Sequence, residues 1–160
     1  MIGGPLEHVF IGAGSNLGDR GGTLTEARLK IEKLPGTRFL RSSSVIETEP
    51  VGGPPQGKFL NVVWEIETSL GALELRDRLL GIESELGRVR TVRNAPRPID
   101  LDILFYGDEV VSGGPLEIPH PRLHERAFVL GPLAELVPGK FHPKLKKTVK
   151  ELLESLESNR

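Results

Sequence analysis

The stretch PIDLDILFYG, residues 98–107, alternates apolar and acidic side chains over its first half. Because successive side chains of a β-strand point to opposite faces, Ile99, Leu101 and Ile103 are expected to enter a core. Asp100 and Asp102 then share the opposite face, about 7 Å apart. At that spacing both carboxylates can reach one or two hard cations such as Mg²⁺. The stretch therefore predicts a core strand with a metal-binding face.

Arginines crowd the segment that leads into this strand, at positions 88, 90, 93 and 97. Guanidinium groups form bidentate hydrogen bonds with phosphate oxygens, and carboxylates hold Mg²⁺. The combination is typical of a site for a Mg²⁺-bound polyphosphate. Two plainer interpretations stay open: the acidic face is only solvated, or Arg88 and Arg90 are placed at a helix C-terminus, where cations are favoured.

The composition favours one soluble domain. With 160 residues the chain is long enough for a single core, and we place that domain at 1–160. A formal net charge of -1 gives no overall attraction to nucleic acid or to a membrane. The chain contains no cysteine, has no N-terminal signal pattern, and has no apolar stretch near the roughly 20 residues of a membrane span. We therefore expect a cytoplasmic monomer that binds neither nucleic acid nor a membrane.

Hydrophobic periodicity predicts an alternating order of strands and helices before residue 108. One helix has an apolar stripe that follows a Thr23–Glu26 capping box, and a second helix ends at Gly87. The strands are 8–13, 39–48, a third in which alternate residues from Leu60 to Ile66 share the core face, and the aspartate strand. The order strand, helix, strand, strand, helix, strand is that of a ferredoxin-like βαββαβ core.

This order predicts an α+β fold with both helices on one face of a mostly antiparallel sheet. The other face is expected to form a cleft with the loops. Additional C-terminal elements follow, namely an apolar stretch over 129–137 and a terminal helix that starts with a Thr148–Glu151 capping box. The proline- and glycine-rich segment 49–58 is expected to be either a substrate loop or an ordinary surface loop.

Two nearby segments carry a resemblance to a known family. GRVR at 87–90, followed by PRPIDLDILFYG at 96–107, resembles the signature of the 6-hydroxymethyl-7,8-dihydropterin pyrophosphokinases. Further segments match, and the resemblance covers nearly the whole chain. These enzymes transfer pyrophosphate from ATP to a pterin alcohol in folate biosynthesis. The resemblance thus implies a Mg²⁺-dependent ATP:hydroxymethyldihydropterin diphosphokinase, which binds ATP and the pterin and releases AMP and the pterin diphosphate.

The resemblance also implies roles for individual residues. Asp100 and Asp102 would hold two Mg²⁺ ions, and Arg88 and Arg97 would close over the triphosphate as further catalytic residues. Other ATP-binding positions are Glu83, Arg90, Ile103, His120 and Arg126. The pterin-binding positions are Thr48, Val51, Phe59, Asn61 and Phe128. In this last set the two phenyl rings would stack on the flat pterin while the amide binds its edge, although core packing is an alternative for either ring.

A non-catalytic ferredoxin-like module that binds RNA or a small regulatory ligand is the competing interpretation. An RNA-binding module of this kind carries aromatic residues on its central strands, whereas this chain carries acids there. A P-loop kinase is excluded because Gly57-Lys58 lacks the glycine-rich loop before it. The spacing of His120 and His124 permits a metal pair, yet zinc is not expected without cysteine or an obvious third ligand.

Overall fold

A five-stranded sheet, in which all strand pairs are antiparallel, forms the centre of the fold. The computed structural model describes residues 5–16, 19–49, 58–87 and 99–159. The strands are β1 (Glu7–Ser15), β2 (Thr37–Ser42), β3 (Ile46–Thr48), β4 (Phe59–Thr68) and β5 (Asp100–Tyr106). Their spatial order is β2-β4-β1-β5, and β3 continues the β2 edge along β4. Along the chain, the order of strands and helices is the predicted ferredoxin-like one.

Helices α1 (Arg20–Glu32) and α2 (Ala72–Glu85) pack on the first face of the sheet. Their buried leucines, isoleucines and alanine meet the apolar side chains of β1, β4 and β5 in one cluster. The predicted alternation in β5 is confirmed, because Leu101 and Ile103 are buried in this cluster while Asp100 and Asp102 are partly exposed. Within the described ranges, no helix is both long and apolar enough to span a membrane.

The helix caps match the sequence predictions in one case of two. The Thr148–Glu151 capping box is present at the start of α4 (Val149–Ser158). The predicted Thr23–Glu26 box is wrong, because α1 begins earlier. Asp19 is its N-cap and accepts the Gly22 N–H at 3.1 Å, while the Thr23 hydroxyl donates to the Asp19 carbonyl.

Helices cover part of the second face of the sheet, whereas the sequence had predicted a cleft with loops there. Helix α3 (Ala127–Leu136) and α4 cover its centre, joined by the short hairpin of β6 (Phe141–His142) and β7 (Lys147–Thr148). Together they bury the apolar side chains that the sheet presents on this side: Phe10, Val63, Leu104 and Phe105. We call this group the second-face cluster. The cleft is thereby confined to the uncovered end of the same face.

A bulge in β5 places two consecutive apolar side chains on the second face of the sheet. Phe10 pairs with Phe105 and Ile11 pairs with Ile103, so Leu104 is an extra residue in the ladder. After this interruption Leu104 and Phe105 both pack in the second-face cluster. The strand therefore carries acids on that face at its beginning and a hydrophobic anchor at its end.

The predicted continuous strand over 39–48 is wrong, because it breaks at Ser43 into β2 and β3. The Ser43 N–H donates to the Val63 carbonyl at 2.9 Å, and the Ser43 hydroxyl accepts the Val63 N–H at 2.9 Å. A side-chain oxygen thus takes the place of the backbone carbonyl that a regular ladder would use. The backbone can turn at this point without leaving the Val63 N–H unsatisfied.

Candidate active site

A cavity of about 510 Å³ lies on the second face of the sheet, next to the second-face cluster. Its floor includes Gly12 and Gly14 of β1, which have no side chains to fill the space. Its walls come from β3, β4 and β5. The remaining wall is the segment His120–Val129, which leads through the short 3₁₀ turn Leu123–Glu125 into α3.

Asp100 and Asp102 form the acidic end of this cavity, on the face of β5 that the sequence predicted. Their partners across the sheet are Gly14 and Gly12, respectively. No β1 side chain therefore stands between the two carboxylates and the rest of the cavity. The Asp102 side chain is 39% exposed.

The acidic end fits a Mg²⁺ ion that is shared with a substrate phosphate. Magnesium in phosphoryl-transfer sites is commonly held by one or two carboxylates together with phosphate oxygens and water. In the part of the chain that the structure describes, no group of three or more His, Asp or Glu side chains could hold a metal. Asp100 and Asp102 on one face of β5 are a pair of carboxylates of the kind found in phosphoryl-transfer sites.

His120 faces the acidic end as a neutral imidazole. Its Nδ1 accepts the Arg122 N–H at 3.1 Å, so the ring proton is on Nε2, 4.0 Å from Asp102 Oδ2. Burial, helped by the positive charge of Arg126, lowers the pKa of His120 to about 4. At neutral pH the two side chains are thus in contact without forming an ion pair. His120 can donate a hydrogen bond into the cavity without adding a charge.

Arg126 and Phe128 border the cavity where α3 begins. The Arg126 guanidinium carbon lies 5.6 Å from the centroid of the Phe128 ring, within the range of a cation–π interaction. Phe128 is partly buried against the second-face cluster and also lines the cavity. A cation suited to phosphate and an aromatic surface suited to a flat ring therefore lie side by side.

Thr48, Phe59 and Asn61 line the cavity on the β3–β4 side, across β1 from the aspartates. Asn61 Nδ2 donates to Thr48 Oγ1 at 2.6 Å, which fixes the amide. Asn61 Oδ1 then lies above β1, where a Cβ atom on Gly14 would be 3.0 Å from it. This end of the cavity therefore offers an aromatic ring and an oriented hydrogen-bond acceptor.

Comparison with known proteins identifies the family. Residues 10–138 match the model of the 7,8-dihydro-6-hydroxymethylpterin-pyrophosphokinase (HPPK) family. The chain belongs to the HPPK family.

Relatives and solved structures agree with this assignment. The chain is 46% identical over 127 residues to the 2-amino-4-hydroxy-6-hydroxymethyldihydropteridine pyrophosphokinase of Bacillus subtilis, covering 79% of this chain and 76% of the relative. It is 40% identical over 133 residues to the protein of the same name from Pseudomonas aeruginosa, covering 83% and 82%. Plasmodium falciparum HPPK-DHPS, solved with pteroate, superposes with a TM-score of 0.78 at 14% identity, which shows the fold alone. The match covers 98% of this chain but only 43% of that longer one.

The cavity brings together most of the site residues that the HPPK resemblance predicts. Eight of them have atoms at the cavity surface: Thr48, Phe59, Asn61, Asp100, Asp102, His120, Arg126 and Phe128. Four others lie outside the described residues: Val51, Arg88, Arg90 and Arg97. The individual roles of all these residues stay predictions.

Glu83 and Ile103, both predicted to bind ATP, are not among the residues that line the cavity. Ile103 is buried in the core on the first face, so its side chain points away from the cavity. Glu83 on α2 is only 2% exposed, and its Oε2 accepts the Leu101 N–H at 2.7 Å. Leu101 lies between the two aspartates, so this hydrogen bond from α2 fixes the backbone of the acidic end.

Several residues at the cavity surface were not among the sequence-predicted site residues: Gly12, Gly14, Glu49, Arg122 and Glu125. Gly12 had a detectable signal, since glycine inside a predicted strand often marks a close approach of a ligand or another backbone, whereas Gly14 lies just beyond the predicted strand 8–13. The three charged residues had none. Their position depends on how the segment before α3 and the end of β3 turn toward the cavity, which local sequence does not determine.

Proposed function

We propose that this chain transfers a pyrophosphoryl group from ATP to 6-hydroxymethyl-7,8-dihydropterin, giving the pterin diphosphate and AMP, in folate biosynthesis. One observation carries the proposal together with membership of the HPPK family. A single cavity holds a pair of carboxylates on one side of β1 and an aromatic ring with an oriented amide on the other. A phosphate-bearing substrate and a flat heterocycle can therefore bind next to each other.

At the acidic end, Asp100 and Asp102 would hold Mg²⁺ and orient the triphosphate. When bound there, Mg²⁺ supplies neutralisation of the charge on the phosphate oxygens. Arg126 pairs with further phosphate oxygens. His120 would donate its Nε2–H to an oxygen in the same region.

At the other end, the pterin would stack on Phe59 and Phe128 and bind Asn61. Aromatic pairs contribute about 0.5–1.5 kcal/mol beyond the burial of their area. The Asn61 Oδ1 atom would accept a hydrogen bond from an N–H at the edge of the ring, since the bond from Asn61 Nδ2 to Thr48 orients the amide. This orientation selects a ring edge that offers a donor.

The reaction needs positioning more than covalent help from the protein. The pterin hydroxyl oxygen forms a bond to the β-phosphorus of ATP and gives up its proton. The bond from the β-phosphorus to the oxygen that bridges to the α-phosphorus breaks, and AMP leaves. Arg88 and Arg97 are proposed to close over the triphosphate and stabilise the charge that develops on its oxygens.

The deciding experiment measures AMP formation from ATP by the purified chain. We expect AMP to appear only when both hydroxymethyldihydropterin and Mg²⁺ are present, and to stop when the Mg²⁺ is chelated. AMP formation without the pterin would indicate a nucleotide hydrolase. No AMP under any of these conditions, from a folded protein, would contradict the proposed reaction.

We also propose that the chain works as a cytoplasmic monomer without a nucleic-acid or membrane partner. The residues described around the cavity come from one chain and provide both the acidic end, for the polyphosphate, and a second end at Phe59 and Asn61, which we call the ring end. Sedimentation at assay concentrations should give one species of about 17.5 kDa. A larger species that loses activity on dilution would show that a second copy is needed.

A further inference from the structure

The backbone conformation at position 14 does not require glycine. It lies inside β1, and its φ angle is outside the left-handed region that favours glycine. Glycine inside a strand is unfavourable, because it loses more conformational freedom on folding than other residues and has no side chain to pack. The reason for glycine at this position therefore lies in what approaches the face of the strand.

The space above Gly14 is restricted toward β4. A Cβ atom built on Gly14 would be 3.0 Å from Asn61 Oδ1 and 3.6 Å from Phe59 Cδ1. The strand partners of Gly14 are Asn61 on one side and Asp100 on the other. All of these residues line the same cavity. Gly14 is thus the midpoint between the amide of the ring end and a carboxylate of the acidic end.

We infer that Gly14 determines specificity for the substituent at C6 of the pterin. Its missing side chain leaves the passage by which the hydroxymethyl arm extends from the ring end at Asn61 to the acidic end at Asp100. Neighbouring strands are about 4.8 Å apart, so the backbones of these two residues are about 10 Å apart across β1. A ring held on the β4 side must extend across β1 to bring its hydroxyl near the metal ligand. A methyl group on Gly14 would stand in that path.

The inference rests on the proposed function, and two ligands test it. Calorimetry with Mg²⁺ and a non-hydrolysable ATP analogue would compare 6-hydroxymethylpterin with pterin that lacks a C6 substituent. We expect Gly14→Ala to weaken binding of 6-hydroxymethylpterin at least about tenfold, since one methyl group in a filled pocket changes discrimination about 10- to 200-fold. Binding of unsubstituted pterin should change far less. Equal losses for both ligands would overturn the inference, because they would mean that the methyl group only displaces Asn61 or Phe59.

Gly12→Ala is the matched control, because it adds the same methyl group to the same face of β1. The nearest atoms to its Cβ would be in the flexible side chain of Leu104, at 3.3 Å. We expect the ratio of the two pterin affinities to stay at its wild-type value in this variant. A change in that ratio as large as in Gly14→Ala would contradict the assignment to Gly14.

A measurement on the unmodified protein keeps the test valid if Gly14→Ala does not fold. Isotope-labelled chain would be titrated with each pterin in the presence of the ATP analogue, while the Gly14 amide and Hα resonances are followed by NMR. We expect 6-hydroxymethylpterin to shift them more than unsubstituted pterin does. Identical shifts would overturn the inference. An active wild-type enzyme with identical shifts would leave the proposed function intact, whereas absence of AMP formation would contradict that function itself.

Discussion

Replacing Glu83 tests whether the acidic end is held in place from the first face of the sheet. β5 is at the edge of the sheet formed by the described strands, and the Leu101 N–H is accepted by the buried Glu83 carboxylate at 2.7 Å. In Glu83→Leu that donor loses its acceptor, and a buried unsatisfied group costs about 1–3 kcal/mol. A domain of this size is usually stable by about 5–15 kcal/mol, so the variant should stay folded at 25 °C. We expect lower stability together with lower activity, since the strand between Asp100 and Asp102 is no longer fixed.

Urea denaturation provides the first measurement. The only tryptophan, Trp64, is 3% exposed in β4, so its fluorescence reports the loss of the core. Glu83→Gln keeps an acceptor oxygen and should lose less stability than Glu83→Leu. Glu85→Gln is the matched control on the same helix. Glu85 forms an exposed ion pair with Lys30, and such pairs contribute about 0–1 kcal/mol.

The second measurement separates two roles for Glu83. If Glu83 positions β5, Glu83→Leu should lower the rate of AMP formation at saturating ATP and Mg²⁺. If it instead contacts ATP, as the family resemblance implied, affinity for an ATP analogue should fall while the free energy of unfolding stays at the wild-type value. That second result would refute the reasoning from the Leu101 hydrogen bond.

Four further results are expected. Asp100→Ala and Asp102→Ala should each abolish AMP formation and keep the wild-type circular dichroism, because both carboxylates lie on the cavity face; near-normal activity at saturating Mg²⁺ would contradict their role. Phe128→Ala should weaken pterin binding by about 1 kcal/mol more than ATP binding in calorimetry, and equal losses would indicate that the ring only packs. Burial lowers the pKa of His142 in the folded chain, so below pH 6.5, near the ordinary pKa of histidine, the unfolded chain binds more protons than the folded chain. The free energy of unfolding should thus fall as the pH drops below 6.5, and it should fall less steeply in His142→Asn. Equal slopes against pH in the two proteins would contradict this role of His142. Arg97→Ala should lower the catalytic rate more than affinity for ATP, and a loss of affinity alone would make it a ground-state anchor.

The sequence predicted the elements whose signals are local and periodic. The alternation from Ile99 to Ile103 correctly separated a core face from an acidic face, and the Thr148–Glu151 pattern correctly marked the start of a helix. The ferredoxin-like order followed from the succession of strands and helices. Much of the candidate site came from the family resemblance rather than from the pattern, since residues as distant as Thr48 and Phe128 meet only after folding.

What the sequence did not predict depends on contacts between distant segments. The break at Ser43 requires Val63 opposite it, because the hydroxyl replaces a carbonyl only in that register. Glu83 lies on the apolar side of α2, and only the position of Leu101 shows that its carboxylate has a backbone donor. The apolar stretch over 129–137 was visible, but which face of the sheet it covers depends on the path of the preceding segment. The cap at Asp19 competed with an equally plausible local pattern at Thr23.

The second-face cluster has a consequence for how this chain folds during its synthesis. All five strands of the sheet are complete once residue 106 has left the ribosome, yet Phe10, Val63 and Phe105 still lack their cover. That cover comes from α3 and α4, the last described helices to be made. A nascent chain that ends between β5 and α3 would therefore expose an apolar sheet face, a surface that chaperones bind and that promotes aggregation. Because α3 also brings Phe128 to the cavity, the pterin end can be completed only after the interval in which this sheet face is exposed.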